Sequence, residues 1–104
     1  KRMNPLFEIT LGGSLAKNKQ ESIETLIKDE SILSLLKPLG SLHVVYTAKI
    51  ENKTGRIFFL EPKDTTLTDT YQKVISQILT RITFYPIEKG FVTSGEITID
   101  YDSN

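Results

Sequence analysis

The sequence predicts an α+β fold, a two-layer sandwich in which a small antiparallel sheet carries two helices on one face. The first observation behind this prediction is the order of the patterns. Stretches that alternate apolar and polar residues, as strands do, are interrupted twice by stretches with helical spacing, which gives the order β-α-β-β-α-β. The second is that the apolar residues of each stretch fall on one side only. A sheet of such strands has one covered face and one face in water.

Length and composition limit the function classes. The 104 residues suffice for a single domain, which we divide into a core segment, residues 40–101, and an N-terminal extension, residues 1–39. Thirteen basic and thirteen acidic side chains leave no net charge, which argues against nucleic acid as a partner. The chain has no cysteine, which excludes disulfides and thiolate metal sites. No apolar run reaches the roughly 20 residues that span a bilayer, so we expect no membrane contact by this segment. Because the chain begins with Lys1 rather than Met, we expect an excised domain or a processed product.

The N-terminal extension contains one predicted strand and a helical region. Residues 6–11 alternate, with Phe7, Ile9 and Leu11 on one face, and the glycine pair at positions 12 and 13 ends the strand. Residues 20–37 have helical spacing of their apolar side chains, interrupted by a pair of acidic residues, and predict one bent helix or two short ones. Pro38 and Gly40 end this region.

A β-hairpin is predicted next. Residues 42–50 alternate and residues 57–60 are rich in strand-forming side chains, with five polar residues between them that end in Gly55. We expect a loop over residues 51–55 in which Gly55 adopts the positive φ that closes the turn. Pro62 ends the second strand because it has no N–H for a ladder hydrogen bond.

A second helix and a last strand complete the pattern. Thr66 or Thr68 is expected to cap the helix, and six apolar residues form one stripe along it: Tyr71, Val74, Ile75, Ile78, Leu79 and Ile82. We expect a loop over residues 90–95 and a final strand over residues 96–101, which alternate strictly.

The residues that commonly carry catalysis or bind metals are few. His43 is the only histidine, and we expect a structural or surface role for it. Asp100 and Asp102 share a strand face, but nothing around them predicts the apolar pocket that an acid–base pair requires. We therefore expect no enzyme activity, no metal and no cofactor. Asn52-Lys53-Thr54 has the spelling of a glycosylation triplet, which is informative only in a eukaryotic secreted protein.

Residues 40–101 carry features in an order that resembles the C-terminal domain of periplasmic energy-transducing proteins of the TonB and TolA type. Gly40 opens an alternating strand, which leads into a turn closed by Thr54-Gly55-Arg56. An amphipathic helix over residues 68–83 then runs into Phe84-Tyr85-Pro86 and a last strand over residues 95–101. The turn over residues 51–55 is longer than is usual in that family, and the Tyr-Pro segment common before the opening glycine is missing.

The resemblance implies a location and a role. Such a domain is joined by a spacer to an inner-membrane helix, extends across the periplasm and binds a partner at the outer membrane. We therefore expect a periplasmic protein-binding domain, tethered to the inner membrane in its parent chain, with an envelope protein or an extended peptide segment as its partner.

The expected binding site is the last strand. A chain-terminal strand often lies at a sheet edge, where its unpaired N–H and C=O groups accept an extended segment by strand addition. The expected partner-binding residues are Glu96, Ile97, Thr98, Ile99, Asp100 and Tyr101. Their acidic side chains, followed by Asp102, would favour a basic peptide and discourage self-pairing.

Three alternatives stay open at this point. The order β-α-β-β-α-β also occurs in ferredoxin-like ligand-binding modules, and a weak homodimer through the same edge would make the chain an oligomerisation module. A small enzyme of the acylphosphatase kind is disfavoured, because such an enzyme needs an arginine in its first loop and residues 12–19 offer only Lys17 and Lys19.

Overall fold

The computed structural model describes residues 6–64 and 67–103, so the expectations for Lys1 and for Thr66 as a helix cap lie outside the described residues. Within them the chain forms four strands, three α-helices and two short 3-10 segments. The strands are β1, Leu6–Gly13; β2, Leu42–Glu51; β3, Arg56–Pro62; and β4, Val92–Asp102. The helices are α1, Ser22–Leu26; α2, Glu30–Leu36; and α3, Asp69–Leu79, and the 3-10 segments are Ser14–Lys17 and Lys37–Leu39.

The four strands form one antiparallel sheet in the order β1-β4-β2-β3. The predicted α+β class with a small antiparallel sheet is therefore confirmed. The helical region of the N-terminal extension forms two short helices, one of the two predicted arrangements. Asp29 separates them by capping α2, since its carboxylate accepts a hydrogen bond of 2.9 Å from the Ser31 N–H.

One face of the sheet packs against the helices and the other is exposed. Alternate residues of β2 and β4 are buried, and they belong to the same hydrophobic cluster as the buried residues of the three helices. The cluster includes Val44, Tyr46, Ala48 and Ile50 of β2, Ile97, Ile99 and Tyr101 of β4, and Ile32, Leu36, Ile75, Ile78 and Leu79 of the helices. At about 1.5–3 kcal/mol for each large side chain, this burial is the main stabilising contribution to the fold.

The hairpin closes at Gly55, which has the predicted positive φ of 73°. The position also excludes a side chain for a second reason, because a Cβ atom there would overlap the carbonyl group of Phe84. The Phe84 N–H donates to the Gly55 carbonyl over 2.8 Å. Gly55 therefore joins the hairpin to the segment that follows α3.

Thr68 is the N-cap of α3, as predicted, and its hydroxyl accepts a hydrogen bond from the Tyr71 N–H. The helix ends at Leu79, earlier than the apolar stripe predicted. Ile82 is nevertheless fully buried, because the chain turns beyond Leu79 and directs this side chain into the core.

The last strand begins earlier than predicted, so the expected loop over residues 90–95 is wrong from Val92 onward. The long strand β2 continues to Glu51, and its last residues pair with Val92 and Thr93. Because β2 is this long, its pairing with β4 extends through residues 92–95, where the polar residues and Gly95 had indicated a loop.

Candidate functional site

The predicted binding strand lies inside the sheet, so its expected position at an edge is wrong. β4 pairs with β1 on one side over residues 95–102 and with β2 on the other side over residues 92–101. Its backbone groups are therefore occupied, and strand addition at Glu96, Ile97, Thr98, Ile99, Asp100 and Tyr101 is not available in this fold. The physical cause is the N-terminal strand, which pairs residue by residue with β4 and covers the edge that residues 40–101 alone would leave open.

The side chains of these six residues divide between the two faces of the sheet. Ile97, Ile99 and Tyr101 are buried in the core, whereas Glu96, Thr98 and Asp100 are partly exposed on the other face. The predicted acidic surface therefore exists, but it lies in the middle of the sheet.

Polar side chains of three strands form a row across this exposed face. Glu8 of β1 lies opposite Asp100 of β4, and Asp100 lies opposite His43 of β2. The His43 Nδ1 atom contacts the Asp100 carboxylate, and the Lys63 ammonium group forms an ion pair with Glu96. The His43 imidazole and the Lys63 ammonium group thus lie toward β2 and β3, while Glu8 at the β1 edge faces another carboxylate.

Asp100 and Asp102, which the sequence predicts on one face of the strand, contact different partners. Asp100 contacts His43, whereas the Asp102 Oδ1 atom accepts a hydrogen bond of 3.4 Å from the Ser41 hydroxyl. Both carboxylates are partly exposed, and no cluster of three or more metal-ligating side chains occurs among the described residues.

No helix in residues 6–64 and 67–103 is long and apolar enough to cross a bilayer.

The hydrogen-bond pattern of the sheet determines which backbone groups of β1 face outward. The Asn52 N–H donates to the Phe91 carbonyl over 2.9 Å, and residues of a central antiparallel strand bond one neighbour and the other in alternation. Asn52 lies opposite Phe91, so the alternation can be counted from this pair. The backbone groups of odd-numbered residues of β4 form hydrogen bonds with β2, and those of even-numbered residues form them with β1. The N–H and C=O groups of Phe7, Ile9 and Leu11 therefore point away from the sheet.

The outer edge of β1 is regular. Its eight residues pair with β4 without a register shift, and they include no proline. No other strand of the described chain pairs with its outer side. Ile9 and Leu11 are only partly buried, so apolar surface of the core face continues to this edge.

The opposite edge, β3, is obstructed. A register shift between Lys49 and Ile50 interrupts its pairing with β2. Thr83 forms a bridge with Arg56 at the start of the strand, and Pro62 ends it. Irregular pairing and proline are typical of edges that do not accept another strand, so β1 is the better candidate for strand addition.

The sequence did not indicate the structural role of Asn52. This residue of the hairpin turn is buried, with only 2% of its surface exposed. Its Nδ2 atom donates to the Lys89 carbonyl over 2.9 Å, and its Oδ1 atom accepts from the Thr93 hydroxyl over 2.7 Å. Its backbone carbonyl accepts from the Ile87 N–H over 2.8 Å. With Nδ2 buried and bonded, the glycosylation triplet presents no acceptor in the folded domain.

Comparison of the chain with protein-family models, with curated proteins and with solved structures gave no match.

Proposed function

We propose that the chain is a protein-binding domain of the bacterial periplasm that takes up an extended segment of an envelope partner by β-strand addition. The observation that carries this proposal is the outer edge of β1, Leu6–Gly13, which is regular, free of proline and unpaired by any other described strand. Outward N–H and C=O groups at Phe7, Ile9 and Leu11 are what an added strand would bond.

The two faces of this edge select the chemistry of the segment. On the core side, Ile9 and Leu11 are partly exposed, so apolar residues of an added strand would extend the core over them. On the other side, Glu8 is the carboxylate beside which an added strand would lie, and Asp100, one strand further in, lies opposite Glu8 and contacts His43. Opposite charges on neighbouring strands are stabilising and like charges are not. The preferred segment therefore alternates apolar and basic residues.

The resemblance to TonB- and TolA-type domains supports the envelope location. The residues that carry it lie between Gly40 and Tyr101, whereas β1 belongs to the N-terminal extension. Because β1 occupies the side of β4 on which a terminal strand would bind its partner, the added segment would pair one strand further out, with β1.

A titration monitored by nuclear magnetic resonance tests the proposal. The probe is a synthetic peptide of alternating lysine and valine, and a peptide of alternating glutamate and valine is the control for charge. We expect the lysine peptide to shift the amide signals of β1 and to slow hydrogen exchange at Phe7, Ile9 and Leu11. Shifts confined to residues outside β1, or equal binding of the glutamate peptide, would contradict the proposal.

A matched pair of variants checks the backbone mechanism. Ile9→Pro removes an outward N–H, so we expect the fold to persist and peptide binding to be lost. Thr10→Pro removes an N–H that bonds β4, so we expect it to destabilise the sheet itself. Light scattering at two concentrations measures the molar mass of the domain and so tests the oligomerisation alternative. A dimer that Ile9→Pro abolishes would mean that the β1 edge serves self-association and not the binding of a partner segment.

A further inference from the structure

A second surface lies at the hairpin end of the sheet. Three apolar side chains are exposed there: Phe58 at 59%, Phe91 at 90% and Val92 at 49%. They line one groove of about 540 Å³, which we call the hairpin groove, between the start of β3 and the loop before β4. Phe91 also borders a smaller depression of about 400 Å³ beside Pro86. An exposed aromatic cluster around a concave surface is typical of an interaction site.

The loop that carries Phe91 is held in place by the protein. Asn52 bonds Ile87, Lys89, Phe91 and Thr93 through its side chain and its backbone. Gly90, with a φ of 76°, makes the turn just before Phe91. Phe91 is therefore presented by a fixed backbone, which lowers the conformational entropy lost when a partner binds.

The charges around the hairpin groove favour one class of partner. Lys53 and Arg56 line it, and neither takes part in the ion pairs of the described residues. Glu51 is the only carboxylate in the lining, and its Oε1 atom accepts a hydrogen bond of 2.8 Å from the Thr54 hydroxyl. The net charge of the lining is positive, in contrast to the acidic face near β1.

We propose that the hairpin groove binds an acidic protein segment that inserts a large apolar side chain between Phe58 and Phe91. Carboxylates flanking that side chain lie against Lys53 and Arg56. Phe58 and Phe91 both line this concave groove, so a protein segment can insert a side chain into it, whereas a flat bilayer surface would meet Phe91 and leave the groove empty. This surface is independent of the β1 edge, and it selects a segment of the opposite charge.

Selection from a random displayed peptide library tests this proposal. We expect the sequences enriched on the unmodified domain to combine acidic residues with phenylalanine, tryptophan or leucine. Synthetic peptides made from them should bind Phe91→Ala at least about tenfold more weakly, as is usual for an aromatic hot spot. Leu35→Ala is the matched control, because Leu35 is an exposed apolar residue on α2 and its removal should leave affinity unchanged.

Charge reversal gives a second, independent measurement. Lys53→Glu should weaken binding of the same peptides and flatten its dependence on salt, whereas Lys73→Glu on α3 should do neither. If no enriched sequence depends on Phe91, or if the enriched sequences are basic, the proposal is wrong. Binding to vesicles of phosphatidylcholine and phosphatidylglycerol that requires both Phe91 and Lys53 would overturn it in favour of a membrane surface.

Discussion

Glu8 of β1 lies directly opposite Asp100 of β4, so two carboxylates occupy neighbouring positions at the edge of the exposed sheet face. Like charges in this arrangement are destabilising. The same carboxylates are the reason why we propose a basic segment, and not a second copy of β1, as the neighbour of this edge.

The first prediction concerns this pair. Glu8→Lys replaces a repulsive cross-strand pair with an attractive one, and we expect it to raise the free energy of unfolding by about 0.2–1 kcal/mol. Urea unfolding at neutral pH measures the change. Glu88→Lys makes the same charge change in a loop and is the control. An equal effect of both substitutions would show that net charge, and not the pair, determines the result.

The second prediction concerns hydrogen exchange along β1. The amides of Glu8, Thr10 and Gly12 bond β4, whereas those of Phe7, Ile9 and Leu11 face outward. We therefore expect protection to alternate residue by residue, with slow exchange at even-numbered positions and fast exchange at odd-numbered ones. Uniform protection of the free domain would mean that the outer edge of β1 is already covered.

The third prediction concerns pH. The hydroxyl of Ser31, followed by its backbone N–H, holds the pKa of Asp29 below its ordinary value of 3.8. A carboxyl group whose pKa is lowered by folding stabilises the protein above that ordinary value, and the contribution is lost as the pH falls through the lower pKa of the folded state.

Asp29→Asn provides the comparison, because asparagine also caps helices but does not titrate. We expect the difference in urea midpoint between the unmodified domain and Asp29→Asn to decrease as the pH falls from about 6 to below about 4. A difference that stays constant over this range would contradict the assigned role of the carboxylate.

The fourth prediction concerns Asn52. Asn52→Ala leaves the Lys89 carbonyl and the Thr93 hydroxyl without their partner, and we expect a loss of about 1–3 kcal/mol in unfolding free energy. Thr93→Val removes only one of these bonds and should cost less. Urea unfolding gives the free energies, and faster amide exchange over residues 87–93 in Asn52→Ala should accompany the loss. An unchanged exchange rate there would mean that Asn52 does not hold the loop.

Local features of the fold could be predicted from the sequence because their causes are local. Alternation along β2, the positive φ of Gly55 and the cap at Thr68 all follow from residues within a few positions of one another. The neighbours of β4 could not be predicted in this way. Pairing of Leu6–Gly13 with residues 95–102 joins segments that are far apart along the chain, and the alternating pattern of each strand is compatible with an edge or an interior position.

The candidate sites show the same limit. The acidic residues of β4 were predicted to share a face, and they do, but their availability depends on the strand beside them. Asn52 gave a misleading local signal, since its triplet has the spelling of a glycosylation site. Its side-chain partners are 37 and 41 residues away along the chain. Phe91 lies in a predicted loop, and only the three-dimensional arrangement brings it beside Phe58.

The pairing of Leu6 with Asp102 also has a mechanical consequence. These residues lie at the same end of two antiparallel strands, far along the ladder from the hairpin. A force that separates them would open the β1–β4 ladder one pair at a time, starting at this end, instead of loading all of its hydrogen bonds together. The strand that covers β4 is therefore also the one that a force pulling Leu6 away from Asp102 would separate first.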